Sequence, residues 1–382
     1  MRADVKSDLI IWACERVGES VDSLAQKQPL RKLHTWITGE TKPTLKQLEY
    51  FAKVTHTPFG YFFLPQPPKE SVPITDLRTI GNEHIENPSP DLLDTLYICQ
   101  QRQEWYQEFA RFMGETPLPF VGSASLKNNV IEVAQSISKA LGFDVEARCE
   151  MANWTEALRH FISQADSIGI MVMVSGIVGS NTHRPLNPQE FRGFALSDQL
   201  APLVFINGKD TKAAQMFTLA HELAHIWLGE TALSDIGPVS SVSNEVELWC
   251  NEVAAELLAP LDTLANIYRG DISLREELDL LAKYFKVSTL VILRRLYDAG
   301  KLTHDELWIA YEAELKRLLS IKKTSGGNFY LTLPVRVSKR FARAIVCSTL
   351  EGQTLHRDAF RLLGCSKISA FHELGRQLGV LY

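Results

Sequence analysis

Apolar residues recur at helical spacing from the start of the chain. Val5, Leu9, Trp12, Ala13 and Val17 predict an amphipathic helix over residues 4–17. Ser20 suits the N-cap of a second short helix that reaches Leu24 and Ala25. Pro29 fits the first turn of a third, LRKLHTWI, stopped by Gly39, and Pro43-Thr44 opens a fourth that carries Leu45, Leu48, Phe51 and Ala52. Short helices in this succession, the second and third joined by a tight turn, predict a helix-turn-helix module over residues 1–64. The period then lapses. Residues 65–90, PQPPKESVPITDLRTIGNEHIENPSP, are rich in Pro and polar residues and predict an extended linker.

Helical spacing resumes in DLLDTLYICQQRQEWYQEFARFMGE, KNNVIEVAQSISKALG and NWTEALRHFISQADSIG, and Trp105, Tyr106, Phe109 and Phe112 of the first are expected in a core. Three short runs rich in β-branched and aromatic residues, IGIMVMVSGIV, EFRGFALS and APLVFINGKD, predict strands of a small sheet. TKAAQMFTLAHELAHIWLGE follows as an uninterrupted helix ending at Gly229, and NEVELWCNEVAAELLAP as another. Residues 271–298 predict two more. In the tail, GGNFYLTLP reads as a strand, and the segments divided at Gly352 and Gly364 as helices. The fold class is α+β: an all-α module, a helix-and-sheet domain over residues 91–310, and a small accessory domain over 311–382.

Composition narrows the setting. With 45% hydrophobic and 22% charged residues in 382, the chain is globular and long enough for two or three domains. Six dispersed cysteines, Cys14, Cys99, Cys149, Cys250, Cys347 and Cys365, form no C-x-x-C pair and read as reduced thiols. No stretch is apolar enough to span a bilayer, and a cytoplasmic location is expected. The net charge of -5 is uneven: residues 311–382 hold 12 Lys/Arg against 5 Asp/Glu, a basic tail that reads as a solvated face or as a surface for an acidic partner. Residues 1–70 hold 10 against 8, a thin footprint for neutralising phosphates. If the first module binds operator DNA, its third helix offers Arg31, Lys32, His34 and Thr35 to the major groove.

The chemistry lies in His221-Glu222-Leu223-Ala224-His225. One helical turn between the histidines sets both imidazoles on one face, close enough to share a zinc ion, while Glu222 is placed to move a proton to and from water. A catalytic zinc needs a third protein ligand, and the acidic helix downstream offers Glu245, Glu247, Glu252 and Glu256. Glu245 stands 20 residues beyond His225; Glu247 shares a face with Asn251. Asp198, Asn207 and Asp210 read as turn formers, and His183 and Arg184 as an exposed loop pair. A substrate segment that pairs with an exposed edge such as RGFALS would lie across the metal.

WITGETKPTLKQLEYFAKVTHTPFGYFFLP resembles the Xre family of DNA-binding modules, which implies operator binding and a homodimer. FTLAHELAHIWLG followed by ELWCNEVAAELLAP resembles the ImmA/IrrE family of metallopeptidases over roughly residues 155–300. That resemblance implies a zincin-like fold with a mixed sheet, Zn2+ as cofactor, His221, His225 and Glu247 as ligands, and Glu222 as the catalytic residue. It also implies a site-specific peptidase that cleaves a repressor or partner regulator. Val253 and Ala259 stand where the family often has Phe and Met, at packing positions. The alternative is a DNA-binding repressor or antitoxin of a toxin-antitoxin system, in which the peptidase fold is a scaffold for a toxin-like partner.

Overall fold

The computed structural model describes residues 2–77, 79–80, 83–84, 88–234, 244–320 and 329–381. The chain divides into two compact units, Met1–Pro73 with His84–Leu96, and Ile74–Glu83 with Tyr97–Tyr382.

The first unit is built from α1 (Ser7–Arg16), α2 (Val21–Ala25), α3 (Leu33–Ile37) and α4 (Leu45–Val54). Ser20 caps α2 by accepting from the Ser23 amide, and Thr44 caps α4 in a reciprocal box with Gln47, so the polar residues that signal these starts also satisfy their free amides. Pro29 opens a 3-10 turn, Gln28–Leu30, and the third helix begins only at Leu33, shorter than LRKLHTWI predicts. Leu9, Ala13, Leu24, Leu33, Trp36, Leu48, Phe51 and Phe62 form one core, with Trp36 set edge-on to Phe51 at 6.3 Å between ring centroids. The start of the expected linker is tied to this unit: Arg16 donates to Glu70 at 2.8 Å, and Lys6 to the Pro65 carbonyl at 2.6 Å.

The second unit centres on a mixed five-stranded sheet. Its strands are β1 (Thr75–Asp76), β4 (Met171–Ser175), β5 (Gly193–Leu196), β6 (Leu203–Asn207) and β7 (Ala232–Leu233), in the order β1-β7-β5-β6-β4. Two-residue strands β2 (Thr79–Ile80) and β3 (Glu83–His84) lie outside it. The three strands expected from sequence are β4, β5 and β6. β1 falls inside the segment read as linker, and β7 carries no sequence period. β4 runs parallel to β6, β5 runs antiparallel to β6 and β7, and β1 runs parallel to β7.

The remaining helices pack on the faces of the sheet or on one another. Introduced in chain order they are α5 (Pro90–Met113), α6 (Val130–Leu141), α7 (Val145–Cys149), α8 (Trp154–Ser167), α9 (Lys212–Leu228), α10 (Glu245–Leu258), α11 (Leu261–Ile267), α12 (Leu274–Phe285), α13 (Thr289–Asp298), α14 (His304–Ser320), α15 (Phe329–Arg336), α16 (Lys339–Leu350), α17 (His356–Leu363) and α18 (Ile368–Gln377). On one face Val172, Ala195, Val204 and Ile206 of the strands join Met216, Leu219, Ala220 and Leu223 of α9 in the main core. On the other, Gln103 of α5 donates to the carbonyls of Leu196 and Ala201, both at 2.9 Å, and Arg102 donates to the Leu362 carbonyl at 2.9 Å. The C-terminal helices thereby belong to the same compact unit as the sheet.

Two readings need correction. GGNFYLTLP does not give a strand: its described part starts α15, which packs against β4, and Pro334 sits inside it. Phe112 is 70% exposed and not a core residue, whereas Tyr106 is buried and Trp105 stacks on Phe109 at 5.4 Å. All six cysteines are free thiols. Among the described residues no helix is long and apolar enough to cross a membrane.

Candidate metal centre

Helix α9 holds the centre rigidly. Thr211 caps its start, and Gly229 closes it at φ +76°, a left-handed conformation that glycine takes without strain. A Cβ at Gly229 would also meet the Gly122 Cα at 2.9 Å, because the Phe120–Ala124 loop lies against the end of the helix. From that loop Gly122 and Ala124 donate to the Ile226 and Trp227 carbonyls, at 3.1 and 2.9 Å, and the Gly229 amide also reaches Ile226 at 3.0 Å. α10, capped by Asn244, packs along α9 and brings its first turn to the His-Glu-x-x-His face.

Three fully buried side chains meet there. His225 Nε2 lies 3.1 Å from His221 Nε2 and 3.1 Å from Glu247 Oε1, and His221 Nε2 lies 3.3 Å from Glu247 Oε2. Two lone-pair nitrogens pointing at one another are repulsive unless something positive lies between them. A tetrahedral zinc with nitrogen and oxygen ligands at ~2.0–2.1 Å sets its ligand atoms about 3.3 Å apart, so the observed spacing matches one face of such a tetrahedron. The donor set of two imidazoles and one carboxylate suits zinc and leaves a fourth position open.

The neighbours support this reading. Asn251, one turn beyond Glu247 on α10, accepts from His221 Nδ1 at 3.0 Å, and so leaves the Nε2 lone pair facing the cluster. Burial works against charge on His221, but Glu247 and Glu222 outweigh it and hold its pKa above the ordinary imidazole value. Burial and the charge of His221 hold His225 below it, against Glu247. Burial would raise Glu247, yet the two histidines hold it down at about 2, so this carboxylate stays ionised.

Glu222 has the opposite environment. It is fully buried one position from His221, and burial pushes its pKa up to about 8 although His221 and a Ser234 hydrogen bond favour the ionised form. Ser234 Oγ donates to Glu222 Oε2 at 3.1 Å, while Glu222 Oε1 is buried without a hydrogen-bond partner among the described residues. Gly193 of β5 makes room for that oxygen: a Cβ there would stand 3.0 Å from Glu222 Oε1 and 2.5 Å from the Thr218 methyl. The two neighbouring carboxylates therefore lie in unlike environments, one favouring the ionised form and the other the neutral form.

The remaining sequence candidates fall elsewhere. Glu245 and Glu252 are exposed, and Glu256 pairs with Arg295, so Glu247 alone of the four joins the histidines. Asp198 Oδ1 accepts from the Leu200 and Ala201 amides, Asn207 Oδ1 from Lys209, and Asp210 Oδ1 from Thr211, all turn-forming contacts. His183 is exposed. RGFALS is not an exposed edge: β5 is hydrogen-bonded on both sides, by β6 and β7. In the first unit Arg31, Lys32 and His34 are exposed, and His34 Nε2 lies 3.0 Å from Asp22. Thr35 is turned inward, its hydroxyl on the Lys32 carbonyl at 2.8 Å and on Thr41 at 2.5 Å. Ser234 escaped sequence reasoning because nothing around it is periodic, whereas Gly193 carried a signal, since a glycine inside a strand often marks a close approach.

A helix-borne His-Glu-x-x-His completed by a buried glutamate from a second helix, against a mixed sheet, defines a metallopeptidase-type domain. Residues 165–297 match the family described as the IrrE N-terminal-like domain, a peptidase family. Residues 337–377 match a domain of unknown function. No curated protein matches the chain.

Proposed function

We propose that this protein is a zinc-dependent endopeptidase that cleaves a repressor or partner regulatory protein, with His221, His225 and Glu247 holding the metal and Glu222 moving the proton. The observation that carries the reading is the buried cluster itself: His221, His225 and Glu247 bring one ligand atom each to within 3.3 Å of the others, with Glu222 on the same helix beside them. When bound, zinc supplies Lewis acidity toward the scissile carbonyl and draws the pKa of water in its open position toward neutrality. A cation held by the three ligands would favour the ionised form of Glu222, which would then take a proton from water through Oε1, without a partner among the described residues, and return it to the leaving amine, while the Ser234 hydroxyl fixes the other oxygen. Asn251 keeps His221 in the tautomer that can ligate.

The first unit adds an address. We read it as a helix-turn-helix module that takes the peptidase to operator DNA through Arg31, Lys32 and His34, with Thr35 supporting the helix from inside and a second copy reading the other half-site.

The experiment compares new protein N-termini that purified wild type and Glu222→Gln generate in an extract of the source cells. Cleavage at defined sites by wild type, reduced about 10²-fold or more by Glu222→Gln at unchanged zinc content, is the expected result. Equal patterns from both, with regulation intact in cells that carry Glu222→Gln, would move the function to the DNA-binding scaffold.

A further inference from the structure

The two outer strands of the sheet are covered differently. α15 and α16 pack against β4. The opposite edge belongs to β1, a two-residue strand contributed by the segment that precedes the domain, in parallel register with β7 as Thr75 to Ala232 and Asp76 to Leu233. The Leu77 amide continues the ladder by donating to the Leu233 carbonyl at 3.0 Å.

Register relates this edge to the proposed catalytic carboxylate. Phe194 pairs with Leu233, so the next step sets Gly193 opposite Ser234; Asp76 pairs with Leu233, so the next step sets Leu77 opposite the same Ser234. Leu77, Ser234 and Gly193 therefore form one row across three strands. Glu222 sits over the inner two members, bonded to Ser234 through Oε2 and held close to Gly193 through Oε1. Adjacent strands lie ~4.8 Å apart, so the backbone at Leu77 is one strand spacing from the row member that holds Glu222.

Peptides are commonly recognised by main-chain pairing with a sheet edge. β5 has no free edge, and β4 lies at the opposite end of the sheet from Ser234, so the edge of β7 is the place where an extended peptide can pair beside Glu222. That place is taken by the protein's own chain. We propose that Ile74–Leu77 occupies the peptide-docking edge of this site and must leave β7 before a peptide can pair there. The strand is only two residues long and Thr75 is exposed, which suits displacement by a longer peptide. The metal centre is then complete while access is held by the segment between the first unit and the catalytic helix.

The inference rests on the peptidase reading for the identity of the peptide as substrate, but its test reads binding and not cleavage. The probe is a fluorescent synthetic peptide of residues 71–80, SVPITDLRTI, titrated by anisotropy against the full chain in a Glu222→Gln background, so that it is not consumed. Leu77→Pro removes the amide that reaches Leu233 and is expected to tighten binding of the probe about tenfold or more. If circular dichroism shows that Leu77→Pro does not fold, Leu77→Ala carries the test; it keeps the amide but loses the half-buried side chain, and about a threefold gain is expected. Unchanged affinity in a folded variant would overturn the proposal, as would equally tight binding to the chain with Leu77 intact. No cleavage of the probe by the Leu77→Pro chain with Glu222 intact, the affinity gain being preserved, would instead count against the peptidase reading alone.

Discussion

The centre is a set of unlike environments imposed on like side chains. Glu222 and Glu247 are both fully buried, yet one faces a serine hydroxyl and an aperture left by a glycine, and the other faces two imidazoles. Ser234→Ala removes the hydrogen bond that fixes Glu222 without touching a proposed ligand. It is expected to retain zinc and lose cleavage by about tenfold, the worth of one hydrogen bond to a charged group; an unchanged rate in a steady-state assay on the identified substrate would dismiss that role. Asn251→Ala frees the His221 ring, and a competition titration with a chelator should show zinc affinity lower by about 10- to 100-fold. The placement of His221 and His225 on one helical face, with Glu222 beside them, was legible in the sequence because one helical turn fixes their geometry whatever surrounds them. The third carboxylate was not fixed by spacing. Four glutamates lie on or near one helix, and only packing of α10 along α9 separates the buried Glu247 from the exposed Glu245 and Glu252.

Local rules act most clearly at the ends of elements. Ser20 was readable as a cap because a hydroxyl before an apolar run has a defined use, and it accepts from the third amide of its helix as expected; Thr44, read with Pro43 only as the opening of its helix, accepts from the third amide of α4 in the same way. Strands were less legible. β1 and β7 are two residues each, too short for any period, and the run FYLTLP alternates like a strand yet is helical. Strand preference depends on having a partner to pair with, and this run packs against β4 as a helix instead of pairing with it. Gly193→Ala tests the closest approach between strand and helix. The added methyl meets Thr218, Glu222 and the Phe205 carbonyl at 2.5–3.0 Å, and urea unfolding should show a loss of about 1–3 kcal/mol. A stability equal to wild type would mean that β5 and α9 can separate at no cost.

Across the whole second unit, the C-terminal helices are part of the structure that carries the centre and not a detached tail. Ser338, at the start of α16, donates to Asp166 of α8 at 3.0 Å. Burial pushes the Asp166 pKa up to about 6, although Ser338, the Val172 backbone, Lys339 and Arg340 all favour its ionised form. An acid whose folded pKa lies above its unfolded one binds its proton more tightly when folded. Its contribution is therefore present below pH 4 and is lost as pH rises from about 4 to about 6. Asp166→Asn should flatten that part of the stability-pH curve and stabilise the protein at pH 7, on the order of 1–3 kcal/mol, in denaturant titrations at several pH values. A curve of unchanged slope would show that Asp166 is solvated in the native state.

The central claim is that His221, His225 and Glu247 hold one zinc ion. Elemental analysis of the purified protein, wild type beside His221→Ala and Glu247→Ala, tests it most directly. Wild type is expected to carry near-stoichiometric zinc and both variants to lose it with the fold retained; wild type without zinc, or Glu247→Ala with its zinc intact, would overturn the proposed centre.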